Sequence, residues 1–111
     1  MIYKICEQAL WRQAQQDGHL RGGPADLRDG FIHFSTAAQL GGTAAKHFAG
    51  AGDLVLLAVE AEALGAALKW EPSRGGDLFP HLYAPLPVAA VRWARLLESG
   101  PSGPVIPELA P

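Results

Sequence analysis

The sequence is poor in the residues that staple, anchor or strongly charge a protein. Cys6 is its only cysteine, which excludes an intrachain disulfide and a CxxC metal knuckle. The longest apolar run, LVLLAV from Leu54 to Val59, falls far short of the roughly 20 residues a membrane helix needs. The opening MIYKICEQALW has no basic region followed by a long apolar stretch, so no secretory signal is expected and the cytoplasm is the expected address. Charge is scarce and nearly balanced, with 9 Lys and Arg against 11 Asp and Glu and a net charge of −2. No broad field therefore draws in duplex nucleic acid or anionic lipid, although a small nucleotide in a local pocket stays compatible. P-loop, HExxH and GxSxG patterns are missing. Gly50-x-Gly52 precedes a strand, whereas a dinucleotide fingerprint follows one, so it reads as a helix stop. The four histidines, His19, His33, His47 and His81, lack metal-ligand spacing, and no metal ligand is assigned. Only three of them brought together in space would revive a metal site.

What is present suits one folded domain. The chain has 111 residues, 49% of them hydrophobic and 18% charged, enough for a single core without staples. IYKIC (Ile2 to Cys6) reads as a strand and Glu7 to Asp17 as a helix with Leu10, Trp11 and Ala14 on its apolar stripe, stopped by Gly18. Residues 18–30 read as a glycine-rich loop, long enough to be a functional one. Phe31 to Phe34 is a second strand. Thr36 and Gln39 have capping-box spacing at the start of a helix running to about Phe48. Asp53 to Glu60 is the clearest strand, apolar enough to be central and covered on both faces. Leu64 to Trp70 holds a turn and another strand, Glu71 to Phe79 a loop, and His81 to Tyr83 a short strand. Val91 to Leu97 fits a last strand, with a helix as the competing period. The domain is assigned to residues 1–98, and the Pro- and Gly-rich tail, 99–111, is expected to hold little regular structure. The order favours α+β, with about six strands and two main flanking helices.

Three places could carry chemistry. In DGFIHFSTAAQL, Asp29 to Leu40, a strand meets a helix start. Alternation puts Ile32 and Phe34 on one face and Phe31, His33 and Ser35 on the other. Thr36 is most simply the cap, which leaves Ser35 free. His33 is either a core histidine bonded to a main-chain carbonyl or a group facing a ligand. In WEPSRGGDLFPHLY, Trp70 to Tyr83, a loop carries Glu71 and Arg74, while His81 and Tyr83 share a strand face. An imidazole and an aromatic ring beneath a charged loop suit a flat ring and an anion, while the plainer account is a surface loop. Lys4 shares a face with Ile2 and Cys6 and needs an anion, an exposed strand end, or room for its stem to reach water, with protection of a sheet edge as the competing explanation.

Taken together, IYKI, DGFIHFSTAAQ, DLVLLAVE, LKWEPS and FPHLY followed by PLP resemble a family of small bacterial proteins known as domain of unknown function 952. The resemblance runs to about Leu97. It implies an ADP-ribosyltransferase-like fold: a mixed, split β-sheet core with flanking helices around an NAD cleft. Transferases of that fold use a basic residue or histidine on the first strand, where Lys4 stands, and a Ser-Thr or tyrosine element, where Ser35 and Thr36 stand. Their glutamate steers the acceptor, and Glu71 is the stand-in. The reading is thus a cleft for NAD or a related nucleotide, with His33, Glu71 and His81 as catalytic candidates. Lys4, Ser35, Arg74 and Tyr83 are the cofactor-binding ones. Tyr83 would stack on nicotinamide, His33 and Ser35 would hold the ribose, and Arg74 would take the pyrophosphate. The alternative is a non-catalytic adaptor that binds a nucleotide or small anion.

Overall fold

In a computed structural model that describes residues 1–101 and 103–109, Ile2–Glu7 forms β1 and Gln8–Asp17 forms α1. The helix ends at Gly18, whose left-handed φ of 87° closes the cap onto the Ala14 carbonyl. A two-residue strand β2 (His19–Leu20) and a six-residue helix α2 (Pro24–Asp29) follow. Next come β3 (Ile32–His33), a 3₁₀ turn at Ala37–Gln39 that runs into α3 (Leu40–His47), and β4 (Leu54–Val59). A further 3₁₀ segment leads to β5 (Leu68–Pro72), then β6 (Leu78–Leu82), β7 (Leu86–Pro87), β8 (Val91–Leu96), β9 (Glu98–Gly100) and β10 (Gly103–Val105).

The strands divide into two three-stranded sheets, ordered β1-β4-β8 and β3-β6-β5, and two ribbons, β2-β7 and β9-β10. A bridge between Tyr3 and Ser35 links the first sheet to the chain just beyond β3. All six residues of β4 are buried, as its unbroken apolar run requires. Val55, Leu57 and Val59 join Ile2 and Cys6 in a core closed by α1, by Ile32 and Leu82 of the second sheet, and by Phe34 just after β3. Leu54, Leu56 and Ala58 join Tyr3 and Ile5 in a second core closed by Leu40 and Ala44 of α3. The expected central, doubly covered strand is therefore present.

Several expectations need correction. The core is split but not mixed, because every described pairing is antiparallel. Parallel neighbours need a crossover of a dozen or more residues, which few segments here supply. The described strands number ten rather than about six, since several span only two or three residues. The expected loop 18–30 contains β2 and α2. The expected loop Glu71 to Phe79 is short, because Glu71 lies in β5 paired with Phe79. Val91–Leu96 is strand, held by β4. The tail, expected to be irregular, folds as the β9-β10 hairpin, with Ile106 and Leu109 packed on the second core.

Candidate functional site

Strand pairing explains why two distant imidazoles meet. His33 stands directly opposite His81 in the β3-β6 register, and opposite residues of an antiparallel pair share a face. Their ring centroids are 5.5 Å apart. Ile32 and Leu82, also opposite each other, turn the other way into the first core. The polar face of this sheet opens onto a cavity of about 640 Å³, whose walls include Lys4, His33, Ser35, Arg74 and His81. Glu71 and Tyr83 do not line it. Tyr83 is exposed and its hydroxyl donates to Glu71 Oε1 at 2.7 Å. Glu71 sits on β5 rather than on a covering loop, and Arg74 lies in a single 3₁₀ turn.

Around His33 the structure builds a chain of opposite charges. Lys4 is 7% exposed, so the edge-protection account fails. Its ammonium contacts Asp26 Oδ2 at 3.0 Å and donates to the His33 carbonyl at 3.0 Å. Asp26, 5% exposed, also accepts from the Gly23 amide, the His33 amide and the His33 ring Nδ1, the last at 2.6 Å. His33 Nε2 lies 2.9 Å from Asp29 Oδ2. Ionised carboxylates only accept, so the two contacts are hydrogen bonds at the same time only when both ring nitrogens carry hydrogen. Burial pushes the Asp26 carboxyl up. The His33 ring, Lys4 and the two backbone amides outweigh that and hold it well below the usual carboxylate range. Arg28, and more weakly His33, lower the Asp29 carboxyl against its slight desolvation. His33 is thus neither bonded to a carbonyl through its ring nor free to meet a ligand with a ring nitrogen.

His81 is placed differently. Its Nδ1 lies 2.9 Å from Glu71 Oε1, and its ring stacks on Phe31 with centroids 4.1 Å apart at 27°. The Tyr83 hydroxyl, followed by His81, lowers the Glu71 carboxyl. Farther along the wall, the Ser35 and Thr43 hydroxyls are 2.9 Å apart. Thr43 also receives a long 3.5 Å contact from Arg74, whose guanidinium lies over the Phe79 ring at 4.9 Å. The capping box is present as read: the Gln39 amide donates to Thr36 Oγ1, and the Thr36 amide to Gln39 Oε1. Gln39 Nε2 then donates to the Leu78 carbonyl, fastening this helix start to β6. Among the described residues no group of three or more His, Cys, Asp or Glu side chains stands in a metal-holding arrangement.

A family model described as "Protein of unknown function (DUF952)" matches residues 5–94. The chain belongs to this family. Among solved structures, the crystal structure of protein CC0527 from Caulobacter crescentus is 52% identical, with a TM-score of 0.91 over 94% of this chain and 92% of that one. The solution NMR structure of CC0527 is also 52% identical, with a TM-score of 0.81 over 93% and 89%. No curated protein matches. No described helix of this DUF952 chain is long and apolar enough to cross a membrane.

The residues that sequence reasoning missed are Asp26, Asp29 and Thr43. A signal for Asp26 existed, because Pro24 at the first helical position and an acidic residue two places later announce a helix start. The six-residue helix has no apolar stripe to support that signal, and its Leu27 is 69% exposed.

Proposed function

We propose that the cavity binds an anionic nucleotide, with NAD the member of that class implied by the resemblance to ADP-ribosyltransferase-like proteins. Arg74 carries this reading: it lines the cavity, covers an aromatic ring, and has no carboxylate partner among the described residues. A guanidinium without a counter-ion, beside an aromatic face, suits a phosphate next to a flat base. Exposed Lys46 on the same wall adds a second cation. The volume falls within the roughly 300–1,000 Å³ of small-molecule sites.

In this reading Arg74 takes the pyrophosphate, Ser35 and Thr43 face the ribose, and Phe79 supports a ring. Lys4 and His33, bound to Asp26 and Asp29, shape the wall. Tyr83 holds Glu71 instead of stacking on nicotinamide. Transfer of ADP-ribose then has to run through a group that faces the cavity, since Glu71 does not line it. A second reading, an adaptor that binds a nucleotide without turnover, uses the same binding contacts and differs in having no lining group act on the substrate.

Titration of ADP-ribose, NAD and AMP against labelled protein, with the four histidine signals followed by NMR, tests the proposal. Ligands carrying a pyrophosphate should shift His81 and His47. Arg74→Ala should weaken them about 10- to 100-fold, the value of a lost charge-assisted contact. Nicotinamide release from NAD separates transferase from adaptor. Silence at every histidine with all three ligands removes both readings.

A further inference from the structure

We propose that Glu71 and His81 work as an orienting carboxylate and a general base, with His81 Nε2 taking the proton from a hydroxyl nucleophile in the cavity. Glu71 is a positioning residue in this scheme and acts only through the ring.

The geometry starts from the bond between His81 Nδ1 and Glu71 Oε1. An ionised carboxylate accepts and cannot donate, so Nδ1 carries the hydrogen, and in the neutral ring the lone pair is then on Nε2. The Tyr83 hydroxyl donates to the same Oε1, and it is the first cause holding Glu71 in its ionised form. Phe31 stacks on the imidazole, and His33 meets it edge-on. The ring therefore has little freedom to turn.

Nε2 itself has no hydrogen-bond partner among the described residues, while His81 is 5% exposed. Yet no buried side-chain nitrogen or oxygen among those residues lacks a partner. Nε2 must therefore be open, and the open space that His81 borders is the cavity. An imidazole with one nitrogen tied to a carboxylate and the other facing bound ligand is the working arrangement of a base and its orienter. His33 makes the contrast, because carboxylates occupy both of its nitrogens.

The nucleophile does not come from Ser35, whose hydroxyl is tied to Thr43. It is water or the hydroxyl of an acceptor. For its electrophile the inference rests on the nucleotide reading above. The hydroxyl proton moves to Nε2 as the oxygen bonds to the ribose C1′ of NAD, and the C1′–nitrogen bond breaks with its electron pair leaving on neutral nicotinamide. The imidazolium then loses its proton to water, so NAD and ROH give the ADP-ribosylated oxygen, nicotinamide and one proton.

The test begins with the imidazole nitrogens of the full-length protein. Nitrogen-15 shifts should show Nδ1 protonated and Nε2 bare in His81, and Glu71→Gln should move proton density to Nε2. Diethyl pyrocarbonate, mapped by mass spectrometry, should modify His81 of the wild type and do so at least tenfold more slowly in Glu71→Gln, with exposed His19 as the internal standard. Nicotinamide release should fall about 100-fold or more in His81→Gln, the usual contribution of a general base. A wild-type ring protonated on Nε2, or modification that ignores Glu71, overturns the inference. If Nε2 is bare and reactive but ADP-ribose gives no protection, the base stands and the nucleotide falls. If ADP-ribose binds beside a ring protonated on Nε2, the nucleotide stands and the base falls.

Discussion

Asp26 is the residue on which the local electrostatics converge. Lys4 sits on the face of β1 that Ile2 and Cys6 turn into the first core, where an unpaired ammonium would be costly. The carboxylate answers that charge and also receives the His33 ring and amide. Asp26→Asn replaces an anion with a group that cannot balance Lys4, and leaving a buried charge without its partner costs about 3–5 kcal/mol. Urea unfolding at neutral pH should show that loss. The wild type should also weaken in acid. The folded protein holds Asp26 ionised below its ordinary value of 3.8, so the stabilisation is complete above that value. It drains away as pH falls from there towards the lowered folded value. Asp26→Asn should flatten this acid limb, and a limb unchanged by the substitution would show that the stabilisation lies elsewhere. Cys6 contributes nothing comparable near neutrality, because burial pushes its thiol up to about 11.

At the scale of elements, α2 and α3 invite opposite glycine substitutions. Gly22 precedes α2 with a φ of 102°, and an added methyl would lie 2.5 Å from Asp26 Cβ. Gly22→Ala therefore combines a left-handed backbone, itself costing about 1–3 kcal/mol, with a clash against the residue that holds Lys4. Gly41 lies inside α3 with nothing within 4 Å of a methyl there. Gly41→Ala should raise stability by about 1 kcal/mol through helix propensity. Thermal unfolding of the two variants should bracket the wild type, and the same sign for both would refute the argument. The same elements show what can be read without coordinates. β1, β4 and the capped start of α3 carry strong local signals: a buried apolar run, a two-residue period, and paired Thr36 and Gln39. The alternation that separates Ile32 and Phe34 from His33 and Ser35 is equally legible. α2 is not, because six residues with an exposed Leu27 show no helical stripe. Glu71 escapes a local reading because EPSRGGD looks like a loop until Phe79 supplies its strand partner from across the turn. Long-range pairing of that kind leaves no mark at the position itself.

Across the whole molecule, β4 divides the interior into two cores that bear on the cavity through different elements. The first core is closed partly by the sheet that carries His33 and His81. The second is closed by α3, whose Thr43, Lys46 and His47 reach the cavity wall. α3 is a short helix containing two glycines, so packing has to hold it where propensity does not. Part of that packing comes from the C-terminal segment, where Ile106 and Leu109 lie on the second core and Gly103 comes within 3.4 Å, measured from an added methyl, of the Ala44 carbonyl. Removing residues 98–111 should therefore cost about 2–4 kcal/mol, the worth of two partly buried aliphatic side chains and the surface they cover. The loss should be uneven. Amide exchange should quicken most along α3, while the β3-β6 pair that sets the two imidazoles side by side keeps its protection. A truncated chain with the urea midpoint of the full one, or with exchange raised equally in both places, would mean that the tail merely rests on the surface.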